Sequence, residues 1–148
     1  ITPLFNQNIN HWDMSNVTDM SLMFVSTDVF NQPLNNWDVS NVTNMNSMFS
    51  NAKSFNQPLN NWNVGQVTDM RSMFVSTDVF NQPLNNWDVS NVTNMNYMFH
   101  TASAFDKDIS DWCVGQIFPK PDGFDTNTLS TWDIGEKPNW GQDCIDRT

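Results

Sequence analysis

Leu34-Asn35-Asn36-Trp37-Asp38-Val39-Ser40-Asn41-Val42-Thr43-Asn44-Met45, with Met48, Phe49 and Ala52 behind it, is the stretch that decides the fold. It returns every 25 residues: Trp12, Trp37, Trp62, Trp87 and Trp112 keep that spacing throughout. Phe5, Phe30, Phe55, Phe80 and Phe105 repeat it, as do Phe24, Phe49, Phe74 and Phe99, and two methionine rows that include Met45 and Met48. A fixed period between about 20 and 50 residues is the mark of a stacked array. Residues 23–46 recur identically as 73–96, so the array carries a duplication of two units at once.

Within one unit, Trp37 and Val39 stand two apart, which predicts a short strand with both side chains on one face. Ser40-Asn41 is a turn pair that also suits a helix start. Val42, Met45, Met48, Phe49 and Ala52 then fall at helical spacing, which predicts a helix of two to three turns. Pro58 breaks regular hydrogen bonding on the way to the next strand. A lone strand and short helix cannot bury so many apolar side chains, but stacked neighbours can cover one another. The full units are 12–36, 37–61, 62–86 and 87–111.

The phrase Phe30-Asn31-Gln32-Pro33-Leu34-Asn35-Asn36-Trp37-Asp38-Val39-Ser40-Asn41-Val42-Thr43-Asn44-Met45, with Met48-Phe49 and Ala52 following, resembles the 25-residue repeat of bacterial and mycoplasma surface proteins. That family is grouped with the Bacteroides surface protein A-like leucine-rich repeats. Leu34, Trp37, Val39 and Val42 fit the leucine-rich layout, with Val42 where asparagine is usual. The resemblance covers residues 4–118. It implies an α/β, right-handed solenoid of leucine-rich-like repeats, one short strand and one short helix per coil, and a role in surface adhesion or ligand binding. It brings no catalytic or binding residues with it.

Two segments are expected: a repeat solenoid over 1–118 and a degenerate capping segment over 119–148. The array begins in mid-unit at Ile1–Phe5, which reads as the cut end of a longer array. After Ile117-Phe118 the pattern breaks at Pro119-Lys120-Pro121-Asp122-Gly123, and Phe124, Leu129, Trp132 and Ile134 form a shortened unit. Cys113 and Cys144, the only cysteines, lie near and within this last part. An even pair on an extracellular-looking chain suggests one disulfide; two reduced thiols in a cytosolic protein is the alternative.

The chain of 148 residues carries a net charge of −10. So few Lys and Arg leave no electrostatic footprint for a phosphate backbone or an anionic membrane, so neither nucleic acid nor membrane insertion is expected. Aromatic residues make up 13%, which excludes a disorder composition. No apolar run approaches the roughly 18 residues of a membrane span. Two histidines in unrelated unit positions, one glutamate, no Cys/His ligand cluster and no phosphate loop leave no basis for an enzyme or for a resident metal.

The regular polar features carry what functional signal there is. Asp13, Asp38, Asn63 and Asp88 each follow the strand tryptophan and so face outward. Such a ladder suits weak Ca²⁺ binding, since hard oxygens suit that ion. It equally suits turns in which the carboxylate accepts backbone N–H bonds, and that reading is preferred. Asn6, Asn31, Asn56 and Asn81 form a second row, read as a structural stack. The Asn-Val-Thr triplets at Asn16, Asn41 and Asn91 match the glycosylation acceptor pattern and are read as caps flanking an inward Val. Tryptophan rows can bind sugars, but these alternate in step with apolar positions and are read as core. Residues that differ between units, among them Arg71, Tyr97 and His100, are the candidates for contact with a specific partner. The expected function is a non-catalytic extracellular or surface module that binds a protein or glycan, without cofactor. A polysaccharide- or ice-binding face of Asn, Asp and Thr, or a simple spacer, are the rivals.

Overall fold

The computed structural model describes residues 2–142 and 144. The outermost residues of the two expected segments, Ile1 and 145–148, and Asp143 lie outside the described residues. The chain winds into coils that stack at 25-residue intervals. Phe24 and Phe49 stack with centroids 5.4 Å apart, Phe49 and Phe74 at 5.7 Å, and Phe74 and Phe99 at 5.5 Å, all within 10° of parallel. A second column runs through Phe30, Phe55, Phe80 and Phe105 at 5.9 to 6.1 Å. Trp37 and Trp62 continue the pattern at 6.4 Å, and Trp87 and Trp112 at 6.3 Å. Aromatic pairs in such stacks contribute beyond their area burial.

The secondary structure departs from the expectation. The α/β solenoid of leucine-rich-like repeats, with a strand and a helix per coil, does not form. Among the described residues the named elements reduce to one 3-10 turn, Ile134–Glu136, and there is no sheet. The coils are built from turns. In the second coil the N–H groups of Trp37, Val42, Met48, Ala52 and Phe55 each donate to the carbonyl three residues back.

The segment read as a helix shows why. A helix would send the Phe49 N–H to the Met45 carbonyl. Instead it donates to Met73 of the next coil at 3.0 Å. Met45, Ser47 and Asn51 likewise donate to Asp69, Arg71 and Val75 at 2.8 to 2.9 Å. Alternate N–H groups are thus taken by the neighbouring coil, and turns close in the gaps. Met45–Met48 and Phe49–Ala52 are two such turns, with Ser47 at φ 55° and Asn51 at φ 57°. Positive φ at the third residue is the type II requirement. Small polar residues that bond their own backbone favour this over a helix interior.

The expected strand at Trp37–Val39 is also displaced. Trp37 and Val42 are held in turns by Leu34 and Val39. Isolated parallel bridges occur seven residues after the tryptophan instead, joining Asp19 to Asn44, Asn44 to Asp69, and Asp69 to Asn94. There the N–H groups of Thr43, Thr68 and Thr93 reach the preceding threonine carbonyl at 2.8 to 2.9 Å.

The two ends differ. Trp37, Trp62 and Trp87 are each 3% exposed, whereas Trp12 in the first coil is 45% exposed. At the other end the parallel ring columns give way to edge-on packing. Trp132 meets Phe105 at 85° and Phe99 at 74°, and Trp140 meets Phe124 at 77°. The N–H groups of Phe124 and Thr126 fold back onto Pro121 and Gly123. Cys113 and Cys144 are joined in a disulfide across a separation of 31 residues. No helix among the described residues is long and apolar enough to cross a membrane.

Candidate functional site

Asp13, Asp38, Asn63 and Asp88 all lie exposed, one per coil. Each turns its Oδ1 back onto the chain two residues on. Asp38 Oδ1 accepts from the Ser40 N–H at 3.0 Å and from its hydroxyl at 2.6 Å. Asp13 and Asp88 bind Ser15 and Ser90 in the same way. Asn63 Oδ1 accepts from the Gly65 N–H at 3.1 Å. The serine hydroxyl and N–H hold the Asp13 and Asp38 carboxyls below their ordinary value, and for Asp38 the charge of Asp13 opposes this. The free geometry of the site is therefore a column of pinned carboxylates, interrupted by one amide. Among the described residues no three His, Cys, Asp or Glu side chains converge as a metal site.

The asparagine row is structural and lies at the surface or half-buried. Asn6, Asn31, Asn56 and Asn81 each present Oδ1 to the backbone N–H of the residue 25 positions on, at 3.0 to 3.1 Å. Gln32, Gln57 and Gln82 brace the same oxygens. The tryptophan row is core in coils two to five: the indole N–H of Trp37 donates to the Ile9 carbonyl at 2.9 Å, and Trp62, Trp87 and Trp112 reach Leu34, Leu59 and Leu84 likewise.

Arg71, Tyr97 and His100 belong to the turn segments. Arg71 is exposed and pairs with Asp69 in its own coil at 3.3 Å. Tyr97 and His100 come together edge-on, 5.7 Å apart. His100 Nδ1 is buried without a hydrogen-bond partner among the described residues. Tyr97 also covers Gly123: a Cβ there would lie 2.3 Å from the tyrosine ring, and its φ of 61° already favours glycine. Tyr97 therefore packs on the last coil as well as facing solvent. Among the described residues no hydrogen bond or ion pair links these three side chains to the Asp column.

Two features escaped the reading of the sequence. A second Asx column, Asp19, Asn44, Asp69 and Asn94, accepts the backbone N–H two residues on at 2.8 to 3.0 Å. Its 25-residue spacing was the available signal. The other is an ion cluster near the end of the chain. Asp125 accepts from Lys120 at 2.5 Å and Lys137 at 3.0 Å, and Lys137 lies 4.8 Å over the Trp132 ring. Burial pushes the Asp125 carboxyl up, but the two lysines outweigh it and hold it below its ordinary value.

The repeated coil and its pinned polar columns coincide with a known protein family. The family model described as Mycoplasma protein of unknown function, DUF285, matches residues 2–112 and 60–140. The chain belongs to this family. No curated protein and no solved structure matches it. The match spans both the regular coils and the aromatic end.

Proposed function

We propose that this DUF285 chain is a non-catalytic module of an extracellular or cell-surface protein that binds a protein partner through its acidic column. The observation that carries this is the exposed set Asp13, Asp38 and Asp88, fixed in identical turns. The turn itself does not need the charge, because Asn63 makes the same backbone bond. Carboxylates held in register on a chain of net charge −10 suit a basic surface, and they would speed and orient its approach. The disulfide supports an oxidising compartment. The likeness of the Phe-Asn-Gln-Pro-Leu-Asn-Asn-Trp phrase to surface-protein repeats supports the same location. That grouping rests on the phrase and not on a strand-and-helix coil.

Screening the purified protein against extracellular-matrix proteins and glycans tests this. A basic protein ligand should be retained, weaken with salt, and be lost by D13N/D38N/D88N while the fold persists. Equal retention by that variant, or selective retention of neutral glycans, would overturn the acidic-column reading. One observation favours a second reading. The exposed Thr43, Thr68 and Thr93 hydroxyls all donate to the preceding threonine carbonyl, at 3.2 to 3.3 Å, which makes a regular row suited to polysaccharide or ice. Inhibition of ice recrystallisation would favour it.

A further inference from the structure

Residues 118–120 read Phe-Pro-Lys where the preceding coils carry Thr43-Asn44-Met45, Thr68-Asp69-Met70 and Thr93-Asn94-Met95. Pro119 has no N–H to give. An ammonium group cannot take the buried place of Met45, Met70 and Met95 unpaired. Lys120 instead lies at the surface on Asp125. Phe118 is 80% exposed. The chain therefore leaves the stack after Ile117 and rejoins it at Asp122, whose carbonyl accepts from the Tyr97 N–H at 2.8 Å. A cleft of about 500 Å³ lies between 93–96 and 116–122.

Inside it the ladder is interrupted. The carbonyls of Thr18, Thr43 and Thr68 all receive the next threonine N–H, and the N–H groups of Met20, Met45 and Met70 all reach the next Asn44, Asp69 or Asn94 carbonyl. Among the described residues the Thr93 carbonyl and the Met95 N–H have neither partner. Met95 is fully buried, so its N–H is shielded from water as well. A buried orphan donor is rare and unfavourable. Phe118–Lys120 line the cleft beside it, and among the described residues no backbone hydrogen bond anchors those three.

We propose that this cleft is a docking site for one extended peptide segment, which adds a rung parallel to Thr93–Met95. The peptide gives an N–H to the Thr93 carbonyl and sets a carbonyl on the Met95 N–H as Phe118 and Pro119 swing outward. The identity of the occupant is read from this same molecule, where a Thr-Asx backbone fills the equivalent position in three coils. Main-chain pairing of this kind is a general mode of peptide recognition. A second copy of the stack does not fit, because the carbonyls of Asp122, Phe124 and Thr126 already take the N–H groups of Tyr97, Phe99 and Thr101. The cleft is separate from the acidic column, so the two proposals stand or fall independently.

Titration of the ¹⁵N-labelled protein with acetyl-Val-Thr-Asn-Met-amide tests the site. The Met95 amide resonance should shift saturably, at the weak affinity expected of two hydrogen bonds and a small contact. Methylation of the peptide's threonine nitrogen should weaken binding about tenfold or more, roughly the loss of one such bond. F118T/P119N/K120M refills the rung from the chain itself, so it should protect the Met95 amide from exchange and abolish binding. The proposal is overturned by a silent Met95 resonance, by an equal response to the methylated peptide, or by undiminished binding to a refilled variant whose Met95 amide is protected. A Met95 shift that follows protein concentration alone would identify a second copy as the occupant and overturn it too.

Discussion

A tryptophan in this protein does two jobs at once. Its ring fills the stack and its indole N–H closes a bond to the coil before, so the side chain is both packing and strut. Trp62 is 3% exposed and donates to the Leu34 carbonyl at 3.0 Å. Trp62→Ala should lower stability by about 3–5 kcal/mol, the range for a large aromatic removed from a core. Trp62→Phe keeps most of the ring area but leaves the carbonyl unpaired, and should lower it by about 1–3 kcal/mol. Chemical denaturation read by circular dichroism separates the two; an undiminished stability in Trp62→Phe would mean that the bond adds nothing, and equal losses that the ring packing adds nothing. At this scale the sequence was a good guide. Spacing alone identified which faces turn inward, because burial depends on periodicity whether the backbone is helix, strand or turn. It also marked Asp13, Asp38 and Asp88 as outward and Asn63 as their equivalent.

Turns are where that reading stopped. The stripe Val42, Met45, Met48, Phe49 and Ala52 is compatible with a helix, and nothing local says that the Phe49 N–H will be taken by Met73. Inter-coil capture is a long-range fact, and it decides the backbone. The local trace it leaves is a run of residues such as Asn44, Asn46, Ser47 and Asn51, which tolerate or favour non-helical turns. The left-handed positions are not all chosen for comfort: Leu22 and Tyr97 sit at φ 60° and 59°, where a side chain is disfavoured by about 1–2 kcal/mol. Ser72, at φ 55°, offers a direct check. Ser72→Gly should raise the melting temperature by a few degrees, since relief of the left-handed strain exceeds the added freedom of the unfolded chain. Ser72→Val should lower it, because a β-branched residue is an outlier there. The opposite order would place the stability elsewhere than in the turns. The last coil is a different element. Linking Cys113 to Cys144 restricts the unfolded chain by about 3–4 kcal/mol in the loop-entropy picture. Reduction should raise amide exchange across 119–142 first, while the central coils stay protected. Asp125 adds a pH dependence. Its carboxyl is held below the ordinary 3.8, so its contribution is complete above that value and fades as the pH falls beneath it. Exchange that rises evenly along the chain under either treatment would dissolve the distinction between coils and end.

The whole molecule is a sum of nearly equal layers. Removing 37–61 joins Asn36 to Trp62 in register, so the shortened chain should fold, with a lower melting temperature and the same ring stacking. Removing a dozen residues should not fold, because the phenylalanine columns lose alignment. Near-ultraviolet dichroism distinguishes these outcomes. The layering also gives the molecule a direction in time. Each turn segment donates its N–H groups forward, Leu22 to Asn46 and Ser47 to Arg71, to carbonyls that the ribosome has yet to deliver. A coil emerging from the exit tunnel thus reaches back to its predecessor through its threonine and indole N–H groups, while the N–H groups of its turn segment stay unpaired until its successor arrives. Phe124 and Thr126 end the sequence of promises by turning their N–H groups inward onto Pro121 and Gly123. Synthesis therefore runs toward the end that terminates stacking, and a polypeptide stalled before Gly123 would display its last open layer to any other nascent copy on the same message.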